Sequence, residues 1–292
     1  MKPKQFDDSQ LLELFGQYYR PPISTDHKYS RGVVGLITGS KKYAGAAILS
    51  SSSSVLSGAG MVKYFDCENL RESVITVRPE VVIVPLNKFD EKILQSAKVQ
   101  AWVLGSGVDL QNCVTSATIE YLVQQFFGPI VLDASGLEVL RNLLIAGDKV
   151  SEKVVITPHL GEARKLLVAA GVELAGTDFD IAAQLHKLTG ATVLLKGSTT
   201  YILNSAESYS VTSESTWLAS AGTGDVLAGL LGTILAQNAQ RQSLSTTEIA
   251  QIVALGQCIF NRAATLYGDK PLPALELAKQ FPQAISNILA QL

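Results

Sequence analysis

Ala221-Gly222-Thr223-Gly224-Asp225-Val226-Leu227-Ala228-Gly229 joins a glycine turn to the start of an apolar helix. Glycines permit backbone conformations that aim successive N–H groups at one point. The N-terminus of the helix that follows adds a partial positive charge. Together these features predict an anion hole that suits a phosphate group.

Asp225 falls in the first turn of this predicted helix, beside any phosphate that binds there. A carboxylate at this position can accept a proton from a substrate hydroxyl while a phosphoryl group is transferred. It can also serve only as an acidic cap of the helix. The polar loop before the glycines and the small residues after them favour the catalytic role.

A second candidate segment follows an apolar run at residues 193–195 and reads Lys196-Gly197-Ser198-Thr199-Thr200. A lysine at the end of a strand, followed by glycine and hydroxyl side chains, can contact the phosphate or ribose of a nucleotide. The same residues can form an ordinary hairpin turn. The GxxxxGK[ST] spacing of a Walker A motif is absent, so this is a different kind of phosphate site.

A third segment, after an apolar run at residues 154–156, reads Thr157-Pro158-His159-Leu160-Gly161-Glu162. Proline fixes the turn, His159 projects from it and Glu162 begins a helix. His159 could bond to a ligand or shuttle a proton, although a lone histidine more often has a structural role. We assign no role to His27, or to His186, which lies on a further predicted helix.

Small residues mark two further strand ends, in Gly39-Ser40 with Gly45-Ala46-Ala47 and in Gly105-Ser106-Gly107. They let a ligand approach the backbone closely, although tight turns contain the same residues. Asp133 ends another predicted strand. Its carboxylate could reach a ribose or a metal-bound water, or it could cap the helix that follows.

Short apolar runs alternate with helical patterns along the whole chain. Strands are predicted at residues 33–37, 61–65, 81–84, 102–104, 130–132, 154–156 and 193–195, with a hairpin between 201–203 and 209–212. Helices are predicted at residues 8–19, 43–59, 137–145, 162–170, 224–236, 247–266 and 282–292. This alternation predicts an α/β fold with a mostly parallel central sheet and helices on both faces. Ligands bind such sheets beyond the carboxyl ends of the strands, where the candidate segments fall.

Residues 1–292 contain no linker of biased composition and no internal repeat, so we interpret them as a single domain. The serine run at residues 50–54 lies within a predicted helix. Serine is a mediocre helix former, so we interpret the run as a site of close helix packing and not as a linker.

Composition excludes several classes of protein. A net charge of −2 and a pI near 6.0 argue against nucleic acid or an anionic membrane as a partner. Three scattered cysteines argue against a disulfide framework, so we expect a reducing, cytoplasmic compartment. The first residues lack an apolar signal segment, and no stretch of about 18 residues is continuously apolar, so we expect no transmembrane helix. Charged residues make up only 17%, which favours an oligomer.

These segments, in this order, resemble the NAD(P)H-hydrate dehydratase family, a branch of the ribokinase-like superfamily, over roughly residues 31–292. The glycine loop alone is shared with many small-molecule kinases. Its combination with Gly58-Ala59-Gly60-Met61-Val62 and with the Pro158-His159 turn is more specific. The resemblance implies a ribokinase-like fold.

The resemblance also implies an activity, the dehydration of the hydrated cofactors NADHX and NADPHX, driven by ADP or ATP with Mg²⁺. It implies that Ala46, Gly107, His159 and Asp225 contact the hydrate, and that Asp225 is catalytic. The nucleotide would be held by Lys196, Gly197, Ser198, Thr199 and Thr200, together with Gly222, Thr223 and Gly224 of the loop. With ADP as donor, AMP and phosphate would be released. Members of the family are often homotetramers. Many bacterial members carry a fused epimerase domain at the N-terminus, for which there is no room before Arg31. We therefore expect a separate epimerase.

Some residues depart from the family pattern: Asp109, Ser135, the stretch Trp217-Leu218-Ala219 and the pair Asn261-Arg262. The last two could alter nucleotide choice or subunit contacts. The sequence leaves open the choice between ADP and ATP, the preference between the two hydrates and the ligands of the magnesium ion. Two other functions use the same anion hole: a ribokinase-like kinase for a vitamin-precursor alcohol, and a nucleotide-binding protein without catalysis.

Overall fold

The computed structural model describes residues 2–292, in which one ten-stranded sheet forms the centre of the protein. Its strands are β1 (Lys4–Gln5), β2 (Val33–Ile37), β3 (Met61–Asp66), β4 (Val82–Pro85), β5 (Ala101–Leu104), β6 (Ile130–Leu132), β7 (Val154–Ile156), β8 (Thr192–Leu195), β9 (Thr199–Leu203) and β10 (Ser208–Thr212). The order across the sheet is β1-β10-β9-β8-β7-β6-β5-β2-β3-β4. All neighbours from β4 to β8 are parallel, while β9 runs antiparallel to both β8 and β10.

Helices cover both faces of this sheet. They are α1 (Asp8–Tyr18), α2 (Ala44–Leu56), α3 (Arg71–Val77), α4 (Glu91–Ser96), α5 (Cys113–Gln125), α6 (Gly136–Ile145), α7 (Leu160–Ala169), α8 (Asp178–Thr189), α9 (Thr223–Ala239), α10 (Thr246–Tyr267), α11 (Ala274–Lys279) and α12 (Phe281–Leu289). One apolar cluster holds side chains of α1–α3 and α9–α12, and a second holds those of α4–α8. Side chains of β6 alternate between them, with Val131 in the first cluster and Ile130 and Leu132 in the second. The predicted α/β architecture is thus confirmed.

The serine run is a close helix contact, as its composition predicts. Residues 50–54 are all buried in α2, against α9. The Ser53 and Ser54 hydroxyls donate hydrogen bonds to the Val226 and Gly229 carbonyls of α9. A Cβ added to Gly229 would lie only 2.5 Å from the Ser50 carbonyl oxygen. The two helices therefore need small side chains where they meet, and this contact fixes the helix that begins at the glycine loop.

The structure corrects the sequence interpretation at the edge of the sheet. The apolar run at residues 81–84 predicts a buried strand, but β4 lies at the edge of the sheet, where it pairs only with β3 and Val82 is 42% exposed. Helices α3, α4, α5 and α11 and the short strand β1 were outside the predicted elements. Three of these helices have at most seven residues, which is too short for a helical period to stand out.

Helix α10 is the single described helix that is long and apolar enough to cross a membrane by length and composition. Its apolar stretch is 72% buried inside the protein. A core helix has the same composition, because it is surrounded by other elements on most sides.

Candidate active site

The candidate segments meet at the carboxyl edge of the parallel strands. The Gly39 N–H donates to the Ser106 carbonyl at 2.7 Å, which joins the loops after β2 and β5. His159 and Lys196 form a short parallel bridge between the loops after β7 and β8. The glycine loop reaches the same edge, because a Cβ added to Gly224 would lie 3.4 Å from the Lys196 Nζ.

A first cavity, of about 780 Å³, brings together all four residues that the resemblance assigns to the hydrate: Ala46, Gly107, His159 and Asp225. Gly107 has a φ of +66°, and a Cβ added there would lie 2.7 Å from the Ala46 Cβ. A side chain at position 107 would therefore fill the space between these two residues. Gly222 also lines this cavity, although the resemblance groups it with the nucleotide.

A second cavity, of about 460 Å³, is lined by most of the residues expected to hold the nucleotide: Lys196, Gly197, Ser198, Thr200, Thr223 and Gly224. Thr199 does not line it, since its hydroxyl lies 3.4 Å from the Thr212 hydroxyl across the β9–β10 hairpin. The Thr223 hydroxyl donates to the Leu218 and Ser220 carbonyls and so braces its own loop.

The glycine loop separates the two cavities. Gly222 has a φ of +90°, which L side chains rarely adopt, and helix α9 begins at the next residue. No side-chain hydrogen bond caps this helix N-terminus. Its first N–H groups therefore remain available, which is the arrangement expected of an anion hole. Asp225 lies in the first turn of α9, and its carboxylate makes no capping hydrogen bond there.

An ion pair between the buried Asp133 and the partly exposed Lys196 lies behind the loop. The Lys196 Nζ donates to the Asp133 Oδ1 at 2.8 Å. The Thr157 and Ser106 hydroxyls donate to the same carboxylate at 2.8 and 3.1 Å. Burial alone would raise the pKa of Asp133, but the Lys196 charge and these hydrogen bonds hold it below its usual value. Burial would likewise lower the pKa of Lys196, and Asp133 raises it. Both groups are therefore charged.

Asp225 has a different environment. Burial, followed by the negative charge of Asp133, raises its pKa to about 7, and the Lys196 charge opposes this shift. A carboxyl group with a pKa near neutrality can both accept and release a proton at physiological pH. Asp225 therefore has the protonation behaviour expected of a general base at the end of a ligand cavity.

His159 combines the structural and the ligand-facing roles. It is the N-cap of α7, where its Nδ1 accepts hydrogen bonds from the Gly161 and Glu162 N–H groups. In return, the Glu162 carboxylate accepts from the His159 N–H at 2.9 Å. Because Nδ1 is an acceptor, a neutral ring carries its proton on Nε2. The side chain is 59% exposed and lines the first cavity, so Nε2 can serve as a donor to a ligand.

Several residues at the cavities gave no signal in the sequence. Lys42, Arg141 and Lys165 line the first cavity, and Gln257 and Phe260 line the second. The three cations lie far apart in the chain and have the appearance of ordinary solvated charges. The glutamine and phenylalanine lie in an apolar helix, where nothing local separates a cavity wall from the core.

The departures from the family pattern have structural partners. The Trp217 Nε1 donates to the Asp269 carboxylate at 2.7 Å, and the stretch after it, Leu218 and Ala219, lines the second cavity. The Asn261 amide donates to the Thr212 carbonyl, and Arg262 forms an ion pair with Asp8. Asp109 accepts from the Gln111 N–H, and Ser135 lines the first cavity.

Within residues 2–292 there is no group of three or more His, Cys, Asp or Glu side chains that could hold a metal ion. Magnesium, however, is usually held by one or two carboxylates together with substrate phosphates and water. The site is therefore compatible with a magnesium ion that a nucleotide carries, and the Asp133 oxygens are already taken by Lys196, Thr157 and Ser106.

The fold and the loop-divided site define a ribokinase-like α/β protein. A ribokinase-like protein of Enterococcus faecalis superposes with a TM-score of 0.75 at 23% identity, covering 95% of this chain and 94% of its own. The ADP/ATP-dependent NAD(P)H-hydrate dehydratase of Bacillus subtilis superposes with a TM-score of 0.77 at 20% identity, covering 99% of both chains.

Sequence comparison identifies the family within this class. The family model described as NAD(P)H-hydrate dehydratase matches residues 34–282. The chain belongs to this family. It is 30% identical to the ADP-dependent (S)-NAD(P)H-hydrate dehydratase of Neisseria meningitidis, over 76% of this chain and 75% of that protein. It is 35% identical to the bifunctional NAD(P)H-hydrate repair enzyme of Mycobacterium tuberculosis over 74% of this chain, but it covers only 43% of that relative. The chain thus spans about half the length of the bifunctional relatives.

Proposed function

We propose that the protein is an ADP-dependent (S)-NAD(P)H-hydrate dehydratase, a lyase that restores NADHX and NADPHX to NADH and NADPH and releases AMP and phosphate. The observation that carries the proposal is the division of the site by the glycine loop. Asp225 lies in the first cavity and Lys196 in the second, on opposite sides of an uncapped helix N-terminus. This arrangement lets a hydroxyl on one ligand meet a phosphate on another.

The reaction follows from the groups at the loop. Asp225 takes the proton of the ring hydroxyl, and the hydroxyl oxygen attacks the terminal phosphorus of ADP. A new P–O bond forms, the bond to the leaving AMP breaks, and the α9 N–H groups and Lys196 stabilise the developing charge. The ring nitrogen then expels phosphate, which is a better leaving group than hydroxide. Loss of a proton from the neighbouring ring carbon restores the dihydronicotinamide.

ADP is proposed as the donor because the Neisseria relative is named ADP-dependent. The Bacillus protein is named ADP/ATP-dependent and was crystallised with ATP and Mg²⁺, which supports magnesium as the accompanying ion. When bound, the ion would neutralise charge on the nucleotide phosphates. No protein ligand is assigned to it.

We further propose a cytoplasmic homotetramer that works with an NAD(P)HX epimerase activity. The low charged fraction and the partly exposed edge strand β4 support self-association. The pairing with an epimerase comes from the family resemblance.

The products distinguish this reaction from a kinase reaction. The protein is incubated with NADHX, Mg²⁺ and ADP, and the products are followed by phosphorus NMR. We expect equal amounts of AMP, inorganic phosphate and NADH. A stable phosphate ester of the hydrate, with no inorganic phosphate, would establish a kinase. ADP that binds but is not consumed would leave two alternatives, a kinase for another alcohol and a non-catalytic nucleotide-binding protein.

A further inference from the structure

Asp133 has no assigned part in the reaction, yet its surroundings are more elaborate than a structural residue requires. It is 3% exposed, and its carboxylate accepts three hydrogen bonds, from residues in the loops that follow β8, β7 and β5: Lys196, Thr157 and Ser106. The next residue, Ala134, has a φ of +49°, which is rare for a residue with a side chain. The carboxylate thus ties together three of the loops that form the site.

The ion pair with Lys196 lies against the boundary between the two cavities. A Cβ added to Gly224 would lie 3.4 Å from the Lys196 Nζ and 3.8 Å from the Asp133 Oδ2. Lys196 lines the second cavity, and Asp225 lines the first. The pair is therefore close to both the nucleotide side and the hydrate side of the loop.

Some N–H donors of the Lys196 ammonium group bond to no protein atom within residues 2–292. An ammonium group has three N–H donors, and within residues 2–292 the Lys196 Nζ uses one of them, toward Asp133. The remaining donors can point only into directions that the ion pair leaves open. Because the side chain lines the second cavity, a phosphate in that cavity is a suitable acceptor.

Stability alone does not account for the pair. Burying two opposite charges costs desolvation, and apolar side chains of similar shape often stabilise a protein as well or better. We propose that Asp133 is a positioning residue, which orients the Lys196 ammonium toward the phosphates of the nucleotide and acts on Asp225 through its own charge. The inference rests on the proposed function for the identity of the nucleotide.

Asp133 and Lys196 are the charged groups that act most directly on Asp225. The other charged or titratable side chains around the first cavity are Lys42, Tyr43, Glu138, Arg141, His159, Glu162 and Lys165. All of them remain unchanged when Asp133 is substituted. A change in the protonation of Asp225 in such a variant can therefore be attributed to the missing carboxylate.

The first test is the pH dependence of kcat/KM in Asp133→Asn, in which the amide can still accept from Lys196 and Thr157. Removing a like charge favours ionised Asp225, so we expect the acid limb to move to lower pH by about one unit. The control is Asp66→Asn, which removes another buried carboxylate at the end of a strand, one held by the Leu70 and Arg71 N–H groups. It should leave the limb in place. An unmoved limb in Asp133→Asn would assign Asp133 a structural role only.

The second test is a double-mutant cycle on ADP affinity, measured by calorimetry without hydrate. Asp133→Asn should weaken ADP binding about tenfold, as loss of an oriented charged hydrogen bond predicts. In a Lys196→Met background the same substitution should have no further effect, because Asp133 acts through the lysine. The double variant leaves neither charge buried alone, and a weaker affinity for ADP in it than in Lys196→Met would overturn the inference even if Asp133→Asn alone fails to fold. Additive effects would overturn the inference. If the ADP affinities follow the expected pattern but the wild-type protein does not turn over NADHX, the proposed function is contradicted instead.

Discussion

At the scale of single residues, the proposed reaction depends most on Asp225, its general base. Burial and the Asp133 charge raise its pKa to about 7, so the carboxyl group is largely protonated in mildly acidic solution. A general base must be ionised. We therefore expect kcat/KM to rise with pH through about 7 and to level off above it, measured as initial rates in buffers of constant ionic strength. A rate that is already maximal well below this pH would show that Asp225 titrates normally.

The same shift has a consequence for stability. The pKa of Asp225 is higher in the folded state than in the unfolded state, so the folded state binds more protons between the usual pKa of an aspartate and about 7. The free energy of unfolding therefore falls as the pH rises through this range. Asp225→Asn has no such charge. We expect it to be more stable than the wild type by about 1 kcal/mol in mildly alkaline solution, and by less in acid. Denaturant unfolding at two pH values measures the difference. A variant that is equally stable or less stable in alkali would contradict the proposed burial cost.

The sequence predicted the residues of the site better than their partnerships. Asp225, Lys196 and His159 stand in local patterns that predict a turn and a ligand. The Asp133–Lys196 pair joins residues 63 positions apart, and no local pattern shows which strands will be neighbours. His159 also has a capping role that the spacing to Glu162 allowed but did not require.

At the scale of elements, the contact between α2 and α9 positions the glycine loop. Gly229→Ala would place a Cβ 2.5 Å from the Ser50 carbonyl oxygen and 2.8 Å from the Ser53 Cβ. We expect a loss of about 1–3 kcal/mol in the free energy of unfolding, because the helices must move apart. Gly45→Ala, in the first turn of α2, meets nothing within 4 Å and is the matched control. If the two variants unfold alike, the helices are not in close contact.

The predicted elements were those with strong local patterns. Buried parallel strands such as β2 and β6 are apolar throughout, so their sequences show them directly. Strand β4 has an equally apolar sequence, yet it lies at the edge of the sheet, because strand order depends on long-range packing. Helix α4 is fixed by the Asp90 cap and by its neighbours, and its six residues contain little periodic information.

At the scale of the whole molecule, the two cavities should bind their ligands separately. A nucleotide that binds only the folded state at one hundred times its Kd stabilises the protein by about 2.7 kcal/mol. We expect ADP to raise the melting temperature without hydrate, and Lys196→Met to lose most of that increase. Lys165→Met, which changes a cation of the first cavity, should keep it. Equal losses in both variants would place the nucleotide elsewhere.

The fold class followed from the alternation of strands and helices, and the division of the site did not. Only the assembled sheet shows that residues 222 and 225 face one cavity while residues 223 and 224 face the other. The proposed reaction depends on that division, because it places a proton acceptor and a phosphate site on opposite sides of one helix N-terminus.

The most direct measurement of the proposed reaction is the near-ultraviolet absorbance of the dihydronicotinamide, as the protein is mixed with NADHX, Mg²⁺ and ADP. We expect the absorbance to increase only when nucleotide is present. The rate of this increase should be at least about a hundredfold lower in Asp225→Asn, as loss of a general base predicts. Calorimetry must show that this variant still binds ADP. No rise with ADP or ATP, from folded wild-type protein that binds nucleotide, would contradict the assignment as a dehydratase.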